Sequence, residues 1–359
     1  MQFPGWDPVL IDIPGSPIAI RWYGLMYVIG FVAAQWILVR LARRGFFPVS
    51  VQQAPDLILY CVLGVMLGGR LGYALFYDPA HELILPWNFV QVWKGGLSFH
   101  GGLTGVTVAI LLFSRRLKVP WLRVGDACAL AVTPGILAVR MANFVNGELY
   151  GRETEPGVGW AMQFPTDPKA EQLLGIPPGV SMRERELCIQ VAFGHRTWDS
   201  VRGRLSDEHV GWDRVKDRLD WQKVRETRTA QGGFEVPYRH PSQLYEGGCE
   251  GIALGLLLLL VYSVTRRRPF RHGWYGALFL LGYAVARFSL ETVREPDDQL
   301  KNPAHPKGDV FLGMTMGQTL STLMVVGAVL ILALSRRRTL PAPQTPAPAT
   351  PAPQAEARA

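Results

Sequence analysis

The stretch "GDACALAVTPGILAVRMANFVNGELYGRE" (residues 125–153) decides how the rest of the chain is read. Its first part, through Val139, has the composition of a membrane span. Arg140 then appears, followed within eight residues by Asn143, Asn146 and Glu148. A charged side chain at mid-bilayer costs about 2.5–3.5 kcal/mol on insertion scales. Polar groups so placed either lock helices together or serve a ligand.

Working outward, the 359-residue chain is 48% hydrophobic, and its apolar residues gather into seven windows of about 17–22 residues. These run roughly over 22–42, 57–77, 97–114, 125–145, 244–264, 274–291 and 313–334. The pattern predicts an all-α polytopic membrane protein of about seven transmembrane helices, with a small outer head between spans four and five. A large soluble protein with buried helices does not fit windows this long. The expected organisation is an outer amphipathic arm (1–21), helices one to four (22–150), a periplasmic head carrying an extended insert (151–240), helices five to seven (241–335), and a disordered Pro/Ala tail (336–359). Within the head, 151–168 reads as turns and short strands, and 198–228 as a solvated, mixed-charge helical stretch.

Basic clusters set the orientation. Arg40, Arg43 and Arg44, then Arg115, Arg116, Lys118 and Arg123, then "TRRRPFRH" (265–272), then Arg336–Arg338 all fall on one side of a seven-span chain. That side is expected to be the cytoplasm, with the N-terminus periplasmic. The formal charge of +8 is therefore mostly topology and does not imply nucleic acid. Trp22, Trp87, Trp93 and Trp121 near span ends fit interfacial anchoring. Cys61, Cys128, Cys188 and Cys249 have neither paired nor metal-like spacing. The opening "MQFPGWDPVLIDIPGSPIAI" lacks the basic region and apolar core of a cleavable signal, so span one is expected to be retained.

Four charges fall inside spans or at their edges: Arg70, Arg140, Arg287 and Glu291. Tyr283, Arg287, Glu291 and Arg294 are spaced four, four and three apart, which puts them on one helix stripe facing a protein-lined cavity. Arg140, Asn143 and Gly147 share a face in the same way, and Arg140 has no acidic neighbour in sequence until Glu148. The Arg287–Glu291 pair alone also admits a reading as a helix-to-helix lock. In "GGLSFHGGLTG" (95–105), His100 sits between glycine pairs, where backbone can approach backbone or a ligand. "YRHPSQLYEG" (238–247) brings Arg239, His240, Gln243, Tyr245 and Glu246 to the start of span five, and "RWYGLMY" (21–27) puts Tyr23 and Tyr27 on one face. Aromatic-belt anchoring accounts for the two tyrosines equally well. Buried arginines short of acidic partners call for an anion, and guanidinium binds phosphate in a fork. A phospholipid headgroup is the anion a bilayer always supplies.

"VRMANFVNGELYG" (139–151) resembles the signature of bacterial prolipoprotein diacylglyceryl transferases. "RWYGLMY", "GGRLGYALFY", "GGLSFHGGL", "RHPSQLYE" and "ARFSLETVREPD" are similar to that family's further blocks, in its order, over residues 18–334. Val139 departs from the family's usual glycine, and the insert at about 165–235 is longer than the family pattern suggests. The resemblance implies an enzyme of the bacterial inner membrane that moves diacylglycerol from phosphatidylglycerol to the lipobox cysteine of a preprolipoprotein. A thioether forms and glycerol phosphate leaves.

On that reading Arg140 and Arg287 stabilise charge on the leaving phosphate, and His100 takes the thiol proton or orients the headgroup. Asn143, Asn146 and Glu148 hold the glycerol hydroxyls, Tyr23 and Tyr283 lie near the phosphate, and Glu291 orients Arg287. Gly151, Arg294 and His240 complete the expected substrate-binding set. No cofactor or metal is expected, and a monomer is. A lipid flippase or transporter would call for inverted repeats that are not visible here. A structural scaffold would leave the intramembrane arginines without a purpose.

Overall fold

The computed structural model describes residues 3, 9–12, 19–76, 98–164, 167, 237–295, 309–311 and 313–336. Among the described residues seven helices carry the fold: α1 (Trp22–Arg43), α2 (Asp56–Phe76), α3 (Phe99–Leu117), α4 (Trp121–Val145), α5 (Ser242–Thr265), α6 (Trp274–Leu290) and α7 (Met316–Arg336). Each falls on one of the seven apolar windows. Five of them (α1, α2, α4, α5 and α7) are long and apolar enough to cross a membrane. The shortfall in the other two has local causes. Helix α6 has 17 residues, about 25 Å of rise against a hydrocarbon core of roughly 30 Å. Helix α3 dilutes its apolar residues with Gly101, Gly102, Gly105, Thr104 and Thr107 and ends on Arg115 and Arg116.

The surface is inverted relative to a water-soluble bundle. Leu59, Leu63, Leu67, Leu71 and Leu75, four residues apart along α2, are all exposed, as are Leu256, Leu260 and Val264 along α5. Repeating apolar stripes of this kind would be a large penalty in water and are neutral or favourable against lipid tails.

Without a hydrophobic drive between helices in lipid, contact depends on small residues that let backbones close. Helices α2 and α3 show this directly: a methyl group on Gly72 would lie 2.8 Å from Gly101 Cα, and one on Gly68 would lie 2.8 Å from Gly105 Cα. Gly101 and Gly105, on the helical side of His100, are thereby explained as backbone meeting backbone, while Gly95 and Gly96 lie outside the described residues; Ser98, with its side chain accepting from the Gly101 amide, caps α3.

Two apolar clusters sit at opposite ends of the bundle. One gathers Leu41, Phe47, Leu57, Phe113, Val124, Leu258 and Tyr275 from the ends of α1, α3 and α5 and the starts of α2, α4 and α6. All the described basic clusters lie at this end. The other joins Phe3, Phe144, Met162 and Phe164.

Short strands accompany the helices and qualify the all-α expectation. β1 (Val9–Asp12) pairs antiparallel with β2 (Ala19–Arg21), so this part of the expected amphipathic arm is a strand pair, while Phe3 packs on Phe144 and Phe164 with ring centroids 5.3 Å apart. β3 (Glu153–Thr154), β4 (Met162–Gln163) and β5 (Tyr238–Arg239) form an antiparallel sheet in the order β3-β5-β4. The turns and short strands expected after residue 151 are these. β6 (Asp309–Phe311) pairs with β7 (Met314–Thr315) just before α7. The mixed-charge stretch 198–228, Trp87, Trp93, Cys188 and the tail beyond 336 lie outside the described residues.

Candidate functional site

The site begins with how α5 meets α4. Residues Gly247–Ala253 of α5 are wound as a π-helix, a wider turn that is rare and often found at functional sites. Gly247, Gly251 and Gly255, four apart, face α4. A methyl group on Gly251 would lie 2.8 Å from Leu137 Cβ, and one on Gly247 would lie 3.4 Å from Arg140 Cβ. Any larger residue would hold the helices apart. Closing this seam brings two carboxylates of α5, Glu246 and Glu250, onto Arg140 of α4.

Glu246 is the hub. Arg140 Nη2 lies 2.8 Å from its Oε2, and Arg287 Nη1 and Arg294 Nη1 each lie 3.4 Å from its Oε1. Arg140 Nη2 also lies 3.5 Å from Glu250 Oε2, and Arg287 Nη2 lies 3.2 Å from Glu291 Oε2. Tyr283, one turn before Arg287, faces Arg140, Arg287, Glu246 and Glu250. Gly317 at the start of α7 leaves room for the Glu291 carboxylate, which would collide with any side chain there. The stripe Tyr283, Arg287, Glu291 and Arg294 therefore does converge on Arg140, as its spacing implied.

The premise that these arginines lack acidic partners is corrected. Arg140 is paired across helices with Glu246 and Glu250, which sequence proximity to Glu148 could not reveal. Three arginines meet three carboxylates. Glu250 was missed at the sequence level, although a signal existed: it is a charge inside an apolar run, one turn beyond Glu246.

A second group of side chains adjoins the first. Helix α4 ends in a reversal in which Gly147 takes a left-handed φ of 67° and the Glu148 amide returns to the Asn143 carbonyl. Gly147 thus lies beyond the helix and not on its face. The turn folds Glu148 back so that Asn143 Nδ2 donates to Glu148 Oε1 at 2.8 Å. Gln243 Nε2 donates to the Glu148 carbonyl at 2.6 Å, tying the start of α5 to this turn. Asn146 caps α4 at the same place. Tyr23 stacks on Tyr27 with centroids 5.3 Å apart, and Tyr27 faces Glu148 electrostatically.

Gly151 and His240 are brought together as a backbone junction. The Gly151 amide donates to the His240 carbonyl at 2.7 Å, and a side chain at 151 would strike the Val293 carbonyl and the His240 side chain. Burial pushes the His240 imidazole below its ordinary value, keeping it neutral. Arg239 belongs elsewhere. It pairs with Asp167, lies 3.4 Å from both Glu153 and Glu295, and covers the Tyr150 ring, which makes it a clamp on the small sheet. His100 lies in the first turn of α3, and its side chain lies outside the described residues.

Unmet hydrogen-bonding capacity is concentrated here. Of the eight buried side-chain polar atoms without a hydrogen-bond partner among the described residues, six are Asn143 Oδ1, His240 Nδ1, Gln243 Oε1, both Glu250 oxygens and Glu291 Oε2. Native interiors satisfy the large majority of such atoms. Acceptors gathered at one place, beside three guanidinium groups, suit a ligand that carries hydroxyl donors and an anion.

The comparisons with known proteins agree with this chemistry. The prolipoprotein diacylglyceryl transferase family model matches residues 8–334. The phosphatidylglycerol–prolipoprotein diacylglyceryl transferase of Burkholderia multivorans is 39% identical over 347 residues, covering 94% of this chain and 98% of that protein. The similarly named protein of Burkholderia ambifaria is 38% identical over 341 residues, covering 93% and 96%. A match of this extent and identity leaves one conclusion: the chain belongs to the prolipoprotein diacylglyceryl transferase family.

Proposed function

We propose that the chain transfers the diacylglyceryl group of phosphatidylglycerol to the cysteine thiol of a prolipoprotein, the first step of lipoprotein maturation. The observation that carries the reading, beyond family membership, is the joint presence of three converging arginines and a row of acceptors without hydrogen-bond partners among the described residues. A phosphatidylglycerol headgroup matches both: its phosphodiester is an anion, and its terminal glycerol donates two hydroxyl protons.

Arg140 and Arg287 face the phosphate. As the thiolate attacks the glycerol carbon and the C–O bond breaks, a singly charged diester becomes a monoester approaching two charges. Guanidinium groups aimed at those oxygens therefore favour the transition state over the ground state. Asn143, Asn146, Glu148 and Gln243 take the glycerol hydroxyls, and Tyr23 and Tyr283 flank the phosphate. Arg294 adds positive charge, and Glu291 orients Arg287. Gly151 and His240 hold the floor of the headgroup pocket. His100 is the candidate to receive the thiol proton. The thioether product and a free glycerol phosphate complete the balance.

In its setting the protein is read as a monomer that crosses the bacterial inner membrane seven times. The basic ends of the helices face the cytoplasm, and the charged site lies toward the periplasm. The domain limits are those expected from the sequence. Purified protein in nanodiscs containing phosphatidylglycerol should modify a lipobox peptide by the mass of diacylglycerol, with release of glycerol phosphate. A peptide that stays unmodified with active lipid present sinks the reading.

A further inference from the structure

At rest the arginine cluster is formally neutral, Arg140, Arg287 and Arg294 opposing Glu246, Glu250 and Glu291, and Glu148 in the adjoining turn adds a further carboxylate. A bound phosphodiester adds one negative charge to a region of low dielectric, where an unbalanced charge is expensive. Either a carboxylate takes up a proton or the anion binds weakly.

The three carboxylates are not equally held. Glu246 touches all three arginines, and Glu291 has Arg287 at 3.2 Å. Glu250 is fully buried, its one ion pair is to Arg140 at 3.5 Å, and neither of its oxygens has a hydrogen-bond partner among the described residues. The groups facing it are Arg140 from α4, Tyr283 and Arg287 from α6, and Glu246 one turn before it on α5. Besides the arginines, the Tyr283 hydroxyl faces it as a donor, and the neighbouring Glu246 carboxylate opposes its charge. An anion that draws Arg140 toward itself takes away that ion pair.

We infer that Glu250 is a proton-accepting counter-ion: headgroup binding at Arg140 is coupled to protonation of Glu250, which restores neutrality. Glu250 acts through Arg140 and is a positioning residue. The inference rests on the lipid reading above and adds to it a proton stoichiometry. The bond formed is O–H on the carboxylate, and the proton comes from solvent.

The test is calorimetric titration of short-chain phosphatidylglycerol into the full chain in phosphatidylcholine nanodiscs, in buffers of different ionisation enthalpy. The parent should take up about one proton per lipid bound near neutral pH. Its affinity should fall by up to about tenfold per pH unit as pH rises. Glu250→Gln, which has no charge to neutralise, should bind at least as tightly and show neither uptake nor the pH slope. Glu250→Asp should keep both, which shows that the carboxylate and not the packing is responsible. Preferential binding by the parent without proton uptake, or uptake that persists in Glu250→Gln, overturns the inference and leaves the lipid reading standing. A parent that does not prefer phosphatidylglycerol over phosphatidylcholine overturns the lipid reading itself.

Discussion

Two carboxylates at opposite ends of the bundle invite comparison. Asp126, near the start of α4, and Glu250, in α5, are both fully buried, and each has one arginine 3.5 Å away, Arg123 and Arg140 respectively. Asp126 is otherwise saturated: Oδ2 accepts from the Gly273 amide at 2.8 Å and Oδ1 from the Gly276 amide at 2.9 Å, at the positive end of α6. Arg123 in turn donates to the Phe270 carbonyl and lies over the Phe46 ring. Both Glu250 oxygens lack such amide donors among the described residues. An ion pair whose carboxylate is fully hydrogen-bonded is a fastener. A comparable pair left incomplete is a place where something else binds. The difference predicts that mutations at one end cost stability and at the other cost activity.

The largest expected effect is at the open end. Arg140→Ala and Arg287→Ala should each lower transfer by at least about 10³-fold, the scale at which transition-state charge stabilisation operates. Melting temperature should change little in Arg287→Ala, where Glu246 keeps two of its three arginines, whereas in Arg140→Ala it is held only if Glu250, left without its ion pair, takes up a proton. Lysine should rescue poorly, since a point charge does not reproduce the guanidinium fork. Full activity in both lysine variants would break the comparison at this end.

Asp126→Asn tests the closed end. It leaves Arg123 buried without its counter-charge, which for a buried pair costs about 3–5 kcal/mol. The expected result is a clear fall in melting temperature, with the rate per folded molecule unchanged. An enzyme that melts normally but has lost activity would reverse the assignment of the two ends.

Gly251→Ala probes how the open end is assembled. The added methyl would sit 2.8 Å from Leu137 Cβ and 3.0 Å from its Cα, so α5 must move off α4. Overpacking of this kind costs about 1–3 kcal/mol. Because the same movement separates Arg140 from Glu246, transfer should fall more than stability does, on the order of tenfold. Equal melting and equal rate would mean that the seam is looser than its geometry indicates.

How much of this was readable in advance depended on the range of each interaction. The seven helices were legible because an apolar run of span length is a local property. The stripe from Tyr283 to Arg294 was legible because residues four apart on a helix share a face. The pairing of Arg140 with Glu246 was not, since it joins helices separated by about a hundred residues and relies on a glycine seam whose partner face has no signature of its own. Gly101, beside His100, pointed to close approach without saying to what, and Gly68 and Gly72 of α2 supply the answer. Arg239 looked like a site residue from its neighbours in sequence, yet Asp167 and Glu295, far along the chain, claim it for the sheet.

The smallest expected effect concerns His240, the neutral orphan of the open end. Burial lowers its pKa below the ordinary value of about 6.5, and its Nδ1 is buried without a partner among the described residues. A base whose folded-state pKa is depressed contributes fully above the unfolded value, and that contribution is lost as pH falls. The parent should therefore lose slightly more melting temperature between about pH 7.5 and pH 5.5 than His240→Gln, in which the remaining titratable groups behave as before. If a glycerol hydroxyl donates to Nδ1, bound phosphatidylglycerol disfavours the imidazolium further. The gap between parent and variant should then widen in nanodiscs that contain phosphatidylglycerol over those of phosphatidylcholine alone. Identical pH responses in both lipids would remove His240 from the headgroup pocket and leave it as part of the backbone junction with Gly151.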